Sequence, residues 1–256
     1  MPVREALASG REVYGLFVSV PSPTMVEMVA AAGFDFAILD TEHTLVDPQT
    51  LMHMIRAAEA FGIAPLVRVP EDDPGAIGRV LDAGAHGVVV PHVRGPLDAR
   101  RAVRAARYAP EGMRSLAGGR IAGYGRVDLG NYVANARPLV VPMIEDAEAV
   151  AGIDAILAEP GIDLVLEGAA DLSQSLGVTW QTRHPDVVVA VRATAAACAR
   201  AGVPFCAIPR VPADHRAWRD AGVRAFVLGE DQGLTARALR AHLAHHREPG
   251  PEDADA

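Results

Sequence analysis

The sequence predicts a single α/β domain, a closed (β/α)8 TIM barrel, and three observations carry that expectation. Eight short β-branched runs recur along the chain: VYGLFVSV (13–20), FAILD (36–40), APLVRV (64–69), GVVVP (87–91), PLVVPMI (138–144), IDLVLE (162–167), PFCAI (204–208) and RAFVLG (224–229). They are mostly apolar throughout instead of alternating, the pattern of a parallel strand buried on both faces. Between them lie segments such as PTMVEMVAAAG, DPQTLMHMIRAAEAFG and ADHRAWRDAG, which place apolar residues at helical spacing and end at or near Gly.

A local unit appears four times, as AAGFDFAIL (31–39), DAGAHGVVV (82–90), EPGIDLVLE (159–167) and DAGVRAFVL (220–228). Each reads as a helix end, a glycine cap and a buried strand, so the repeat is structural. Eight such units, with no GxGxxG after the first strand, favour a barrel over a doubly wound sheet. The barrel is expected over residues 1–247. Residues 248–256 carry four acidic groups and no basic one, the composition of a disordered tail. Two polar, Gly-containing stretches exceed the repeat, 108–137 after the fourth strand and 168–186 after the sixth, and both are expected as long loops on the catalytic face.

All 24 basic residues are Arg, and Lys is absent from the 256 residues. This excludes a Schiff-base lysine, a pyridoxal-phosphate lysine and a P-loop lysine together. The net charge of −8 argues against a nucleic-acid partner, which wants a basic face. Cys198 and Cys206 make no disulfide framework and no metal-ligand spacing, so a reducing, cytoplasmic setting is expected. Charges occupy the N-terminus where a signal peptide needs its apolar stretch, and no run is long enough to span a membrane.

Residues at the C-terminal ends of barrel strands converge on one mouth, and here those ends are polar. They read Asp40-Thr41-Glu42-His43, Arg68, Pro91-His92, Glu145-Asp146, and Glu167-Gly168 with Asp171 shortly after. Asp146 opens DAEAVAGID and reads as the N-cap of the next helix. His92 reads as a hydrogen-bonded loop residue, Trp180 and Trp218 as packing, and His242, His245 and His246 as a solvated helix end. Glu145 differs, because a lone charge after the apolar PLVVPMI is costly without a partner. Adjacent strands lie ~4.8 Å apart, so Glu145 and Asp171 can reach one cation. Two oxygen ligands with room for water and substrate describe Mg²⁺ or Mn²⁺. The competing reading is a salt bridge for Glu145 and an N-cap for Asp171.

The missing lysine bears on this site. A barrel enzyme that makes or breaks a carbon–carbon bond beside a ketone delocalises enolate charge through a lysine imine or a metal, and only the second is open here. Arg68 would add a fixed cation at the enolate oxygen, and His43 would be the general acid or base. Their plainer alternatives are a surface ion pair and a loop residue. A different class stays open too, a phosphosugar- or anion-binding barrel. Against it, the ends of strands seven and eight read AIPRVP and LGEDQG, and the latter is acidic where a phosphate site is expected.

The segments GLFVS (15–19), GFDFAILDTEH (33–43), VRVP (67–70), VLDAGAHGVVVPHV (80–93), YAPEGMRS (108–115), MIED (143–146) and GAADLSQSLG (168–177) resemble the HpcH/HpaI aldolases, class II metal-dependent 2-oxo acid aldolases with a (β/α)8 barrel. The ordered set DxEH, R, E and GxxDLSxSLG is specific, and the likeness runs from about Gly15 to the last strand. It implies a divalent metal (Mg²⁺, Mn²⁺ or Co²⁺) on Glu145 and Asp171, acid–base work by His43, and enolate stabilisation by Arg68. The backbone amides of Gly168, Ala169, Ala170 and Asp171 would hold the carboxylate of pyruvate or a similar 2-oxo acid, with an aldehyde as second substrate. Asp82 matches a family aspartate that pairs with the histidine. It precedes strand four, on the opposite face, so it would serve a neighbouring subunit in the trimers or hexamers the family forms.

Departures from the family pattern are Thr41 for Gly, Met143 for Gln, Glu167 for an aliphatic residue, Ala169 for Pro, and Arg114-Ser115 for RG. Met143 and Glu167, with Phe17, are the candidate specificity residues. They put the second substrate in doubt, because a side branch of the family condenses oxaloacetate with acetyl-CoA to make citrate. Arg114, Arg120 and Arg126 are read either as contacts to such a larger anionic substrate or as solvated surface.

Overall fold

The computed structural model describes residues 2–247, and the acidic tail expected at 248–256 lies outside the described residues. Eight strands close into one parallel barrel in chain order: β1 (Val13–Val18), β2 (Phe36–Asp40), β3 (Ala64–Arg68), β4 (Gly87–Val90), β5 (Leu139–Ile144), β6 (Val165–Glu167), β7 (Phe205–Ala207) and β8 (Ala225–Glu230). Seven fall within the runs read from the sequence, and β8 extends one residue past its run, to Glu230. The helices are α1 (Pro2–Ala8), α2 (Pro23–Ala31), α3 (Pro48–Ala60), α4 (Pro74–Asp82), α5 (Pro96–Ala106), α6 (Leu129–Asn135), α7 (Ala147–Ala151), α8 (Ile153–Leu157), α9 (Ala169–Ser175), α10 (Pro185–Ala201), α11 (Pro212–Asp220) and α12 (Asp231–Arg247).

Proline sets many of the helix starts. Six helices on the barrel's outside, α2 to α5, α10 and α11, begin on a Pro, whose fixed φ suits the first turn and whose missing N–H would have no partner there. Asp47 and Asp73 cap two of them, each accepting two backbone N–H groups. The glycines of the fourfold unit, Gly33, Gly84, Gly161 and Gly222, all have φ between 88° and 107°, a region closed to most side chains.

Strand parity divides the core. Leu139, Val141 and Met143 of β5 point into the barrel, where Phe36, Ile38 and Leu66 meet them. Val140 and Ile144 of the same strand point outward beneath the helices. Both sides are apolar, which is why the strand sequences do not alternate. α1, not foreseen in the sequence, adds Val3 and Ala6 to the interior cluster.

The 108–137 segment is not a catalytic-face loop. It follows α5 and leads into β5, so it lies at the N-terminal ends of the strands. Arg114 Nη2 donates to Asp82 at the end of α4 (2.6 Å), and Arg120 pairs with Glu59 and donates to the Ala83 carbonyl (3.1 Å). Neither arginine is at the mouth, and Arg126 is exposed. The same face carries Asp163, which takes Arg4 at 2.5 Å and Arg107 at 2.8 Å. The second long segment, 168–186, does follow β6 and contains α9.

The last helix, α12, buries only its first residue, Asp231, and leaves Leu234, Leu239 and Leu243 exposed. A groove of about 1050 Å³ lies between α10 and α11, walled by Val188, Val191, Ala195, Phe205 and Trp218. Both cysteines are buried and free, and among the described residues no helix is long and apolar enough to cross a membrane.

Gly15 faces Phe36 across the β1–β2 pair, and a Cβ there would overlap the Phe36 ring. Gly15→Ala is therefore expected to destabilise the barrel by ~1–3 kcal/mol through overpacking, read as a lower denaturation midpoint. A Gly15→Ala protein as stable as wild type would contradict this packing.

Candidate active site

In-register pairing of β2 with β3 sets Asp40 beside Arg68. Arg68 Nε and Nη2 donate to the two Asp40 oxygens at 2.9 and 2.8 Å, a planar bidentate pair. Its Nη1 lies 3.1 Å from Glu42 Oε2, and its guanidinium sits 4.7 Å from the Phe17 ring centroid. The charge is thereby fixed in a dry site, with Arg68 9% exposed and Asp40 3%. Burial alone would raise the Asp40 carboxyl, but Arg68 and the amides of Glu42 and His43 hold it below the usual carboxylate range. Glu42 goes the other way, since burial raises it more than Arg68 lowers it. His43 is exposed at the rim, its Nε2 3.9 Å from Glu42 Oε2.

Glu145 directly follows β5, shares the inward parity of Met143, and is 2% exposed. Burial pushes its carboxyl up to about 7, with the nearby charges of Asp171 and Glu42 adding to the rise. Its Oε1 accepts the backbone N–H of His92 at 2.7 Å. His92 is therefore part of the site and not merely a loop residue. It adopts φ +49°, strained for a non-glycine, and its ring lies between Asp146 (3.1 Å), Glu145 (3.7 Å) and Glu42 (3.8 Å). Burial would lower the imidazole pKa, but the bond to Asp146 and the three carboxylates raise it. Asp146 is the N-cap residue of α7, as read from the sequence, but its side chain is used differently. It makes no side-chain cap bond, and instead holds His92 and Arg94.

Gly168, between β6 and α9, leaves room for that carboxylate, since a Cβ there would collide with Glu145. The Gly168 amide is committed to the Ile144 carbonyl at 3.2 Å. The amides of Ala169, Ala170 and Asp171 fall in the first turn of α9, where a helix has no internal acceptor for them. One cavity of about 570 Å³ is lined by Phe17, Asp40, His43, Arg68, Met143, Glu145, Gly168, Ala169, Ala170 and Asp171. Glu167 is not among its walls. It shares the outward parity of Val165, accepts the Ile208 amide at 2.5 Å, and faces the α10–α11 groove. Trp180 is not core packing, for it is 78% exposed at the cavity rim with φ +68°. Trp218 does pack, on Phe205.

Asp82 is not brought to this cavity; it stays on the opposite face with Arg114. Among the described residues no group of three His, Cys, Asp or Glu could hold a metal. Glu145 and Asp171 offer two hard anionic oxygen donors, and the open cavity beside them has room for substrate and water to complete a coordination sphere.

Asp40 makes the site's stability depend on pH. Its folded pKa lies below the unfolded value, so its contribution is fully present above about pH 4 and is lost as pH falls through the folded pKa. Asp40→Asn should cost ~3–5 kcal/mol at pH 7 by removing the bidentate carboxylate partner of the buried Arg68, and the deficit should shrink below about pH 4. Urea unfolding across pH checks this; a deficit that does not vary with pH would contradict it.

The model of the HpcH/HpaI aldolase/citrate lyase family matches residues 13–238. A hydroxypyruvate/pyruvate aldolase of Paraburkholderia phytofirmans is 34% identical over 253 residues, covering 96% of this chain and 97% of that protein. A 5-keto-4-deoxy-D-glucarate aldolase of Salmonella paratyphi A is 33% identical, covering 90% of each. The crystal structure of citrate synthase SbnG superposes with a TM-score of 0.89 at 41% identity, covering 96% of this chain and 98% of that one. The chain is a member of the HpcH/HpaI aldolase/citrate lyase family.

Proposed function

We propose that this enzyme cleaves and forms 4-hydroxy-2-oxo acids, with pyruvate or a close analogue as the 2-oxo acid product and an aldehyde as its partner. The observation that carries the reading is a buried, only partly compensated Glu145 sharing one cavity with Asp171 and the braced Arg68. Glu145 and Asp171 would hold a divalent cation, Mg²⁺, Mn²⁺ or Co²⁺. When bound, it supplies Lewis-acid stabilisation of negative charge on the substrate oxygens.

The chain's own groups do the rest. The amides of Ala169, Ala170 and Asp171 orient the 2-oxo acid carboxylate. His43 accepts the proton of the C4 hydroxyl as the C3–C4 bond breaks, the aldehyde carbonyl forms, and the bonding pair moves into the enolate of pyruvate. Arg68, unable to swing away from Asp40 and Glu42, presents its remaining N–H groups to the enolate oxygen. Proton return to C3 completes pyruvate. Phe17 and Met143 wall the cavity and would bear on substrate choice, whereas Glu167 acts only from outside it.

A homo-oligomer belongs to this proposal. The exposed leucines of α12 and the apolar α10–α11 groove support it, and in a trimer or hexamer Asp82 would serve a neighbouring copy's site. Light scattering should give a mass that is a multiple of 26.9 kDa, and a monomer at working concentration would contradict it. The second reading is citrate formation from oxaloacetate and acetyl-CoA, favoured by the 41% identity to SbnG. Release of free CoA from that pair, without cleavage of any 4-hydroxy-2-oxo acid, would select it.

Exhaustive chelation is expected to abolish cleavage, added Mg²⁺, Mn²⁺ or Co²⁺ to restore it, and borohydride with substrate to trap no adduct. Glu145→Ala and Asp171→Ala should weaken Mn²⁺ binding measured calorimetrically, independent of turnover. Arg68→Ala should lower kcat by ~10²-fold or more, and Arg68→Lys should rescue poorly because an ammonium cannot reproduce the planar fork. Full cleavage after chelation would overturn the proposal.

A further inference from the structure

An indole stands at the rim of the active-site cavity with most of its surface in water, and the backbone that carries it is fixed. Trp180 lies in the loop that follows α9. Its amide donates to the Ser173 hydroxyl at 2.9 Å, and that hydroxyl, on a fully buried residue, donates in turn to the Ala170 carbonyl at 2.5 Å. The Val178 amide donates to the Ser173 carbonyl at 2.8 Å, and the Gln181 amide to the Val178 carbonyl at 3.0 Å. Trp180 itself is held at φ +68°, a conformation that is costly for a bulky residue and persists only where the surroundings impose it. Hydrogen bonds and strain together hold an apolar ring in water, in fixed register with Ala170, whose amide belongs to the proposed 2-oxo acid site.

The rest of the cavity sets what that ring can meet. Its volume of about 570 Å³ is in the range that takes drug-sized ligands, and exceeds what an adduct of pyruvate with a two-carbon aldehyde fills. Phe17, Met143 and Ile208 add apolar wall. The charged walls are Asp40, Glu145, Asp171 and Glu230 against Arg68 and Arg210, and Arg68 is already committed to Asp40 and Glu42. The balance is acidic, which favours a neutral group over an anion. A flat neutral ring can lie on the indole face and remove both surfaces from water.

We propose that Trp180 is a stacking platform for the aldehyde end of the substrate. The substrate class is then a 4-hydroxy-2-oxo acid with an aromatic ring on C4, cleaved between C3 and C4 to pyruvate and an aromatic aldehyde. This rests on the aldol reading above and deepens it. The indole touches the ring and not the reacting atoms, so it acts on binding and selectivity and not on proton transfer.

The test titrates metal-loaded protein calorimetrically with two non-cleavable acids, 2-oxo-4-phenylbutanoate and 2-oxopentanoate, which carry a phenyl and a methyl on C4. Trp180→Asn removes the ring with a residue that tolerates positive φ, so that a change in binding is not backbone strain, and Trp180→Phe keeps an aromatic face. Wild-type protein should bind the phenyl acid about 10-fold or more tighter, and this preference should fall about 10-fold in Trp180→Asn and be largely kept in Trp180→Phe. Equal binding of the two acids by wild-type protein would overturn the platform, as would a preference unchanged in Trp180→Asn or lost equally in Trp180→Phe. In turnover, the ratio of kcat/KM for 4-hydroxy-2-oxo-4-phenylbutanoate over 4-hydroxy-2-oxopentanoate should fall likewise in Trp180→Asn, mainly through KM. The two arms keep the claims apart. A binding preference erased in Trp180→Asn supports the platform even if neither hydroxy acid is cleaved, and cleavage of both without that preference overturns the platform while the aldol reading stands.

Discussion

Charge buried at the C-terminal rim of the barrel is the constraint on which the rest of the site depends. A carboxylate withdrawn from water must be paired, hydrogen-bonded or protonated. Asp40 meets this condition through Arg68, and the result is a cation locked in one orientation. Glu145 meets it only in part, with one backbone amide and a half-exposed imidazole, and its pKa rises to about 7. With Glu42, Asp146 and Asp171 nearby, the rim holds more acidic groups than its arginines balance. A divalent cation between Glu145 and Asp171 would supply the missing positive charge at the position where the proposed chemistry needs it.

The two faces of the barrel divide the work. At the N-terminal face, Asp163 ties α1, Arg107 and the start of β5 together, and the 108–137 segment lies across the strand ends. These contacts join elements far apart in sequence and hold the closed sheet in register. At the C-terminal face the charges stand among loops that a rigid barrel positions, the arrangement in which catalytic groups of such folds are found.

The strands were legible because burial on both faces leaves a continuous apolar run, and Glu145 and Arg68 were legible as charges closing such runs. Strand parity also fixes Glu167: Leu164 and Leu166 point inward, so the residue after Leu166 points out, away from the cavity. Segment 108–137 lies on the opposite face from the one its place after the fourth strand suggests, because a helix, Pro96–Ala106, intervenes between β4 and that segment and reverses the chain. His92 was not legible as a site residue. Its role follows from a backbone amide in a left-handed conformation and a strand-end neighbour 53 residues away, neither of which composition or spacing records.

The central claim is that Glu145 holds a cation which, with Arg68, stabilises an enolate. Exchange of pyruvate's methyl protons in D₂O, followed by NMR, requires that enolate and no aldehyde. The account predicts exchange by metal-loaded protein and loss of exchange both on chelation and in Glu145→Gln at matched metal concentration. Exchange at the wild-type rate in chelated protein, or in Glu145→Gln, would contradict it.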